Sequence, residues 1–178
     1  EGKSGAQRMS AEGAMDGVDY VIAQHVDPLR PVGTIGINAG PSSGGVDNWY
    51  GVITGKGGHG AHPDKTIDPF YLLAHVILAL NGIVSRRINP FEPAVVSIGL
   101  INGGFTENVI PESVKITGTL RFTDEKVHQQ IYEEMKRAFE IARTLGGDYE
   151  LKFEIGGPPM INDKMVSEVI EKTGQDML

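Results

Sequence analysis

Cysteine is absent from the chain, which excludes disulfide staples and thiolate metal sites within it and sets the expectation of a reducing compartment, the cytoplasm. Positive charge is scarce too: 16 lysines and arginines stand against 23 acidic residues, leaving a formal charge of −7 with no basic run to offset it. Such a surface repels phosphate backbones, so nucleic acid is excluded as a partner. Long apolar runs are also missing. The longest, residues 70–80, is interrupted by His75 and is too short to cross a bilayer, so no membrane partner is expected. No signal peptide is visible, and a chain that opens on Glu1 is expected to lack its true start.

Glycine, by contrast, is plentiful, and it is densest in Gly55-Lys56-Gly57-Gly58-His59-Gly60-Ala61-His62-Pro63. Two histidines thus sit in a turn directly after a β-like run. Glycines there are expected to supply positive φ and close backbone approach to a ligand. Imidazoles titrate near neutrality, which suits a loop that meets substrate, although an ordinary hairpin turn with solvated histidines fits the same residues. A phosphate loop does not fit, because the lysine precedes the last glycines and no Lys-Ser or Lys-Thr opens a helix.

Periodicity organises the rest. The pattern predicts a short helix over 1–16, a mostly buried strand over 18–26 and a second strand over 33–38. The breakers Ala39-Gly40-Pro41-Ser42-Ser43-Gly44-Gly45 then mark a domain boundary. Beyond it come a strand at 47–56, a helix at 69–86 capped by Asp68, strands at 94–101 and 113–122, a second helix capped by Thr123, and a strand at 149–155. This βαββαβ order predicts an α+β, ferredoxin-like domain: a four-stranded antiparallel sheet with two helices on one face. Residues 163–177 then begin a helix of another domain. The expected organisation is a domain at 46–157 inserted between 1–45 and 158–178, two pieces of a larger domain that cannot close a core alone. The chain therefore reads as a segment of something longer.

The edges of that sheet carry a further expectation. The last strand is studded with Glu150, Lys152 and Glu154, whereas 94–101 has no charge, and the helix at 69–86 is apolar nearly all round. A homodimer through strand 94–101 and helix 69–86 follows.

Asp68-Pro69 opening an apolar helix, Val95-Val96-Ser97-Ile98-Gly99, Gly103-Gly104, Asn108-Val109-Ile110-Pro111-Glu112 and Gly118-Thr119-Leu120-Arg121 follow the two-histidine loop in that order. The set resembles the metal-dependent amidohydrolases of the aminoacylase and carboxypeptidase family, peptidase family M20, and within it the branch of indole-acetyl-amino-acid and hippurate hydrolases. The resemblance runs from Glu1 to about Asp163. It implies that the inserted domain is a lid and dimerisation domain. The flanking pieces would then belong to an α/β catalytic domain that holds two divalent ions (zinc, manganese, cobalt or nickel) and takes a small-molecule amide substrate.

Residue by residue, His59 matches the histidine that reaches into the partner subunit's site to stabilise the oxyanion, and Asn108 the asparagine that hydrogen-bonds substrate. Arg121 is a candidate for binding a substrate carboxylate, with an ion pair to a neighbour equally open. His25 matches a metal-ligand histidine, although a histidine closing a strand is ordinarily just hydrogen-bonded. Glu1 matches the second member of a glutamate pair whose first member, the general base, does not precede it in the chain. His62, His75 and His128 are expected to be solvated or structural, and Asp47, Asp64 and Asp68 to be turn and cap residues. Two functional readings follow. One is a metal-dependent hydrolase of N-acyl amino acids, amino-acid conjugates or small peptides, inactive as this segment alone. The other is a non-catalytic ferredoxin-like dimerisation module or pseudo-enzyme.

Overall fold

The computed structural model describes residues 5–177. Contacts divide the chain into two units, Gly40–Asn162 on its own and Glu1–Ala39 with Asp163–Leu178. The helices are α1 (Gly5–Ala11), α2 (Pro69–Arg86), α3 (Glu125–Thr144) and α4 (Lys164–Met177). The strands are β1 (Gly40–Ser43), β2 (Gly45–Thr54), β3 (Gly58–His59), β4 (Ala94–Gly103), β5 (Val109–Ile110), β6 (Ser113–Phe122), β7 (Asp148–Gly157) and β8 (Met160–Asn162).

Along β2 the side chains alternate cleanly, with Asp47, Trp49, Gly51 and Ile53 buried and Asn48, Tyr50 and Thr54 exposed. That period of two puts one face against the helices and leaves the other open. The sheet runs β4-β6-β2-β7, antiparallel throughout, so the ferredoxin-like arrangement expected from the element order is present. Trp49, Ile53, Ile116 and Leu120 from the sheet meet Leu72, Val76 and Leu80 from α2 and Ile131, Met135 and Phe139 from α3. Composition alone would let α2 cross a membrane, but its Leu72, Leu73, Val76, Leu80 and Ile83 lie in this core.

Trp49 is accommodated because the residue paired with it across the ladder is Gly118. A Cβ at Gly118 would stand 1.9 Å from the Ser97 carbonyl oxygen and 2.6 Å from the indole. Gly118→Ala is therefore expected to lower stability by about 1–3 kcal/mol, as overpacking of a filled core does. A urea midpoint equal to that of the unaltered chain would show that both β4 at Ser97 and the indole shift aside without cost.

Helix α2 starts as expected. Asp68 Oδ1 accepts from the Phe70 amide at 2.8 Å, and Pro69 occupies the first position, where its missing N–H costs nothing. Helix α3 corrects the expectation, since Asp124 and not Thr123 is its cap. Asp124 Oδ1 accepts from the amides of Lys126 at 2.7 Å and Val127 at 3.4 Å, while the Thr123 hydroxyl turns back to the Pro93 carbonyl. A carboxylate also complements the positive end of the helix, which a hydroxyl does not.

Other expectations fail for want of neighbours. No strand forms between Ala11 and Gly40 among the described residues, so the strands anticipated at 18–26 and 33–38 are absent, and Val21, Ile22 and Val26 stand exposed. A strand satisfies its donors and acceptors only beside another strand, and no other strand pairs with these segments here. Helix α1 ends earlier than the anticipated residue 16, before Gly13, whose φ of 88° breaks it. The breakers at 40–43 form β1, which pairs with β8, with a register shift between Pro41 and Ser43. Ile155 pairs with Asp47 and so stays in phase with Leu151 and Phe153, as expected, but it stands exposed at the end of the ladder, where the register slips between Val46 and Asp47.

Candidate active site

The two-histidine loop is held at four places. Lys56 and Ile67 exchange backbone hydrogen bonds at 2.8 and 3.0 Å, closing its base. Gly58 and His59 pair with Ile110 and Val109. The Gly60 amide donates to the Asn108 carbonyl at 2.8 Å, and the Gly55 amide to the Glu112 carbonyl at 2.8 Å. None of the loop glycines has positive φ, contrary to the expectation from their density. Close approach is their purpose: a Cβ on Gly55 would lie 2.0 Å from the Ile67 carbonyl oxygen.

This small ladder brings His59, on β3, beside Asn108, which immediately precedes β5, and both are exposed. The Ala61 amide donates to His59 Nδ1 at 3.1 Å, so that nitrogen carries a lone pair and the proton sits on Nε2. His59 thus presents a donor to solvent. The Thr106 hydroxyl lies 3.3 Å from Asn108 Oδ1 and 3.1 Å from Glu107 Oε2. A hydroxyl has one proton and the shorter contact gives it to Glu107, so the Asn108 amide keeps its N–H donors, a second donor group beside the first. Glu107 is held below the usual carboxylate range by its own backbone N–H and by Thr106, so it stays an anion at the tip of this loop. His62 follows one turn later, its amide on the His59 carbonyl at 2.8 Å and its ring 5.8 Å from that of His59.

Arg121 is not brought to this pair. It lies on β6 eight residues past Ser113, which at about 3.3 Å per residue is roughly 26 Å along the strand from the His59 end. Its Nη1 donates to the Leu120 carbonyl at 2.7 Å and to the Thr119 hydroxyl, and it forms no ion pair among the described residues. Glu1 lies outside the described residues. His25 is exposed, and its Nδ1 rests 2.7 Å from the Val26 carbonyl oxygen, while nearby Asp27 is engaged by Arg30 at 2.9 Å. The Gly40-Pro41-Ser42-Ser43-Gly44 run has the Gly-x-Ser-x-Gly spacing of a serine-hydrolase elbow. It forms a strand with no helix after it, so Ser42 is not raised as a nucleophile. His75 packs edge-on against Tyr71 at 4.8 Å.

The largest polar feature was not foreseen. Asp47 is wholly buried and is no turn residue. Its Oδ2 meets His128 Nε2 at 2.6 Å and accepts from the Tyr132 hydroxyl, and its Oδ1 accepts from the Gly156 amide at 3.0 Å. Phe122 stacks on the His128 ring at 3.8 Å, and His128 Nδ1 faces Glu125 at 3.3 Å. Burial, then the bond to Asp47, pushes the Tyr132 hydroxyl above its ordinary value. A signal existed, because Asp47 falls in phase with Trp49 and Ile53 and must point into the core, where a lone carboxylate requires donors. The cluster binds sheet to helix, with Asp47 and His128 buried.

Residues 43–142 match the sequence profile of the Peptidase dimerisation domain of the M20 peptidases. The chain is similar to an N-acetyl-L-cysteine deacetylase of Bacillus subtilis, with 37% identity over 96% of this chain and 41% of that protein. It is similar to an N-acyl-L-amino acid amidohydrolase of Geobacillus stearothermophilus, with 41% identity over 89% of this chain and 43% of that protein. Among solved structures it resembles a dinuclear metal binding peptidase of the M20 family from Bacillus subtilis, at 30% identity and a TM-score of 0.77, over 98% of this chain and 43% of that one. The chain thus spans about two fifths of the length of the curated relatives it matches. Against the dinuclear relative, the described residues fall short of a metal site. No group of three or more His, Cys, Asp or Glu side chains among them converges to hold an ion; His25, with Nδ1 on its neighbour's carbonyl, keeps its lone pair on Nε2 but has no such group around it.

Proposed function

Because the chain belongs to the M20 peptidases, whose dimerisation domain it carries, we propose that the whole protein hydrolyses the amide bond of N-acyl amino acids or their conjugates with divalent metal ions, and that Gly40–Asn162 is its lid and dimerisation domain. The observation that carries this reading is the pairing of two outward donors, His59 Nε2–H and the Asn108 amide, by the ladder between β3 and β5. As a nucleophile adds to an amide carbonyl, the oxygen gains negative charge. Donors already aimed at that position stabilise it without reorganising. His59 takes that role and Asn108 holds a substrate oxygen. Glu1 and His25 are proposed to serve the metal centre only together with ligands from the rest of the protein, as parts of its α/β catalytic domain. Arg121, so far along β6, is assigned to a substrate carboxylate only in a site other than the one His59 serves.

A pair of donors without its own nucleophile calls for a partner, and the proposed homodimer supplies one. Strand β4 is a sheet edge with Val95 and Leu100 exposed, and α2 beside it exposes Phe70, Tyr71 and Leu78. The Ser97 carbonyl oxygen points at Gly118 on β6, so the groups free to pair with another chain belong to its neighbours Val96 and Ile98. Val96→Pro should therefore weaken the dimer at least about tenfold while leaving the fold, as proline is tolerated on the open side of an edge strand. Sedimentation showing an unchanged dimer would move the contact elsewhere. The function itself is tested on the full-length protein with N-acetyl-methionine and hippurate. Chelator-sensitive hydrolysis is expected, and its absence on both, at any divalent metal, would leave the non-catalytic dimerisation module.

A further inference from the structure

Between α2 and α3, on the side of the helices away from the sheet, runs a groove of about 290 Å³ that none of the chemistry above uses. Helix α2 packs on β4 and α3 on β7, so the groove lies inboard of the β4 edge and stays open in a dimer built on that edge. Its floor is apolar and low, made by Gly82, Ile83, Ala138 and Ile141. Gly82 explains the depth, since the direction its missing Cβ would take meets no atom within 4 Å.

The rim is strongly basic on a chain of net charge −7. Arg86, Arg87 and Arg137 line it against the single carboxylate of Glu134. Glu134 accepts from Arg87 Nε at 3.1 Å and from Arg137 Nη1 at 2.8 Å, which fixes two guanidiniums by one fork each and leaves their remaining N–H groups available. Arg86 has no side-chain partner among the described residues. Two positive charges are therefore uncompensated above an apolar floor. We propose that this groove binds a small carboxylic acid with a compact apolar body, the carboxylate held by Arg86 and Arg137 and the body laid on Gly82 and Ala138. The volume suits a ligand at the small end of the usual range for pockets. A bare phosphate has no use for the floor, and its second charge is opposed by Glu134.

The probe is sodium benzoate, titrated into the 178-residue chain and followed by backbone amide shifts, with benzamide as the neutral shape-mate and inorganic phosphate as the bare anion. Benzoate should shift the amides of Gly82, Arg86 and Ala138 saturably, and benzamide and phosphate should each bind at least about tenfold more weakly. Arg86→Gln should cost about tenfold in benzoate affinity. Gly82→Leu, which fills an open direction, should abolish the shifts while the spectrum remains native. Equal affinity for benzoate and benzamide, or for benzoate and phosphate, would overturn the proposal. So would unchanged benzoate binding in Gly82→Leu. If that variant fails to fold, Arg86→Gln decides alone, and full affinity there sinks the assignment.

Discussion

Replacing His59 by alanine in the full-length protein should lower kcat by about two to three orders of magnitude, the loss that follows removal of one oxyanion donor. The expectation rests on a tautomer. Because Ala61 donates to Nδ1, the proton is on Nε2, the nitrogen left to meet a substrate oxygen in the proposed role. KM should change little, since the interaction strengthens only as charge develops on the carbonyl oxygen. His62→Ala should leave kcat within about a factor of three, because no hydrogen bond of the His62 side chain ties it to Asn108 or to the β3–β5 ladder. Steady-state kinetics on an N-acyl amino acid read both. Equal losses in the two variants would mean that the loop acts as a unit or that the donor is misassigned.

Asp47→Ala is the second large effect, and it falls on stability. Removing the carboxylate orphans His128 Nε2, the Tyr132 hydroxyl and the Gly156 amide in a dry environment at one stroke. Breaking a buried polar pair from one side costs about 3–5 kcal/mol, a large share of the roughly 5–15 kcal/mol that holds a domain together. Asp47→Asn keeps the shape and one acceptor, and should cost less, about 1–3 kcal/mol. Urea unfolding followed by near-ultraviolet dichroism of Trp49 would measure both. A cost below about 1 kcal/mol for Asp47→Ala would show that water enters and re-satisfies the three donors.

How much of this was legible in the residues depended on the reach of the signal. The alternation of β2, the Asp68 cap with its proline, the apolar face of α2 and the 3.6-residue stripe of α3 are set by neighbours two to four positions away, and they were readable. The shift of the α3 cap by one residue, from Thr123 to Asp124, shows the limit of that reading, since both types cap helices and only the competing Pro93 carbonyl separates them. The strands anticipated at 18–26 and 33–38 failed for a different reason. Their composition favours strand, but propensity forms no ladder without a partner.

Sequence by itself determined the βαββαβ order of the four-stranded domain, the uncharged edge at β4 against the charged one at β7, and which loop carries two histidines among glycines. Tertiary structure alone decided what that loop meets. His59 and Asn108 become neighbours through a two-residue ladder, Arg121 is carried to the far end of its strand, and Asp47 finds partners 81, 85 and 109 residues away. Periodicity is written in the side chains a few positions apart. A hydrogen bond between distant segments is chosen only when the sheet has paired and the core has excluded water, so that each buried carboxylate or imidazole takes whichever donor or acceptor the packing has left within reach.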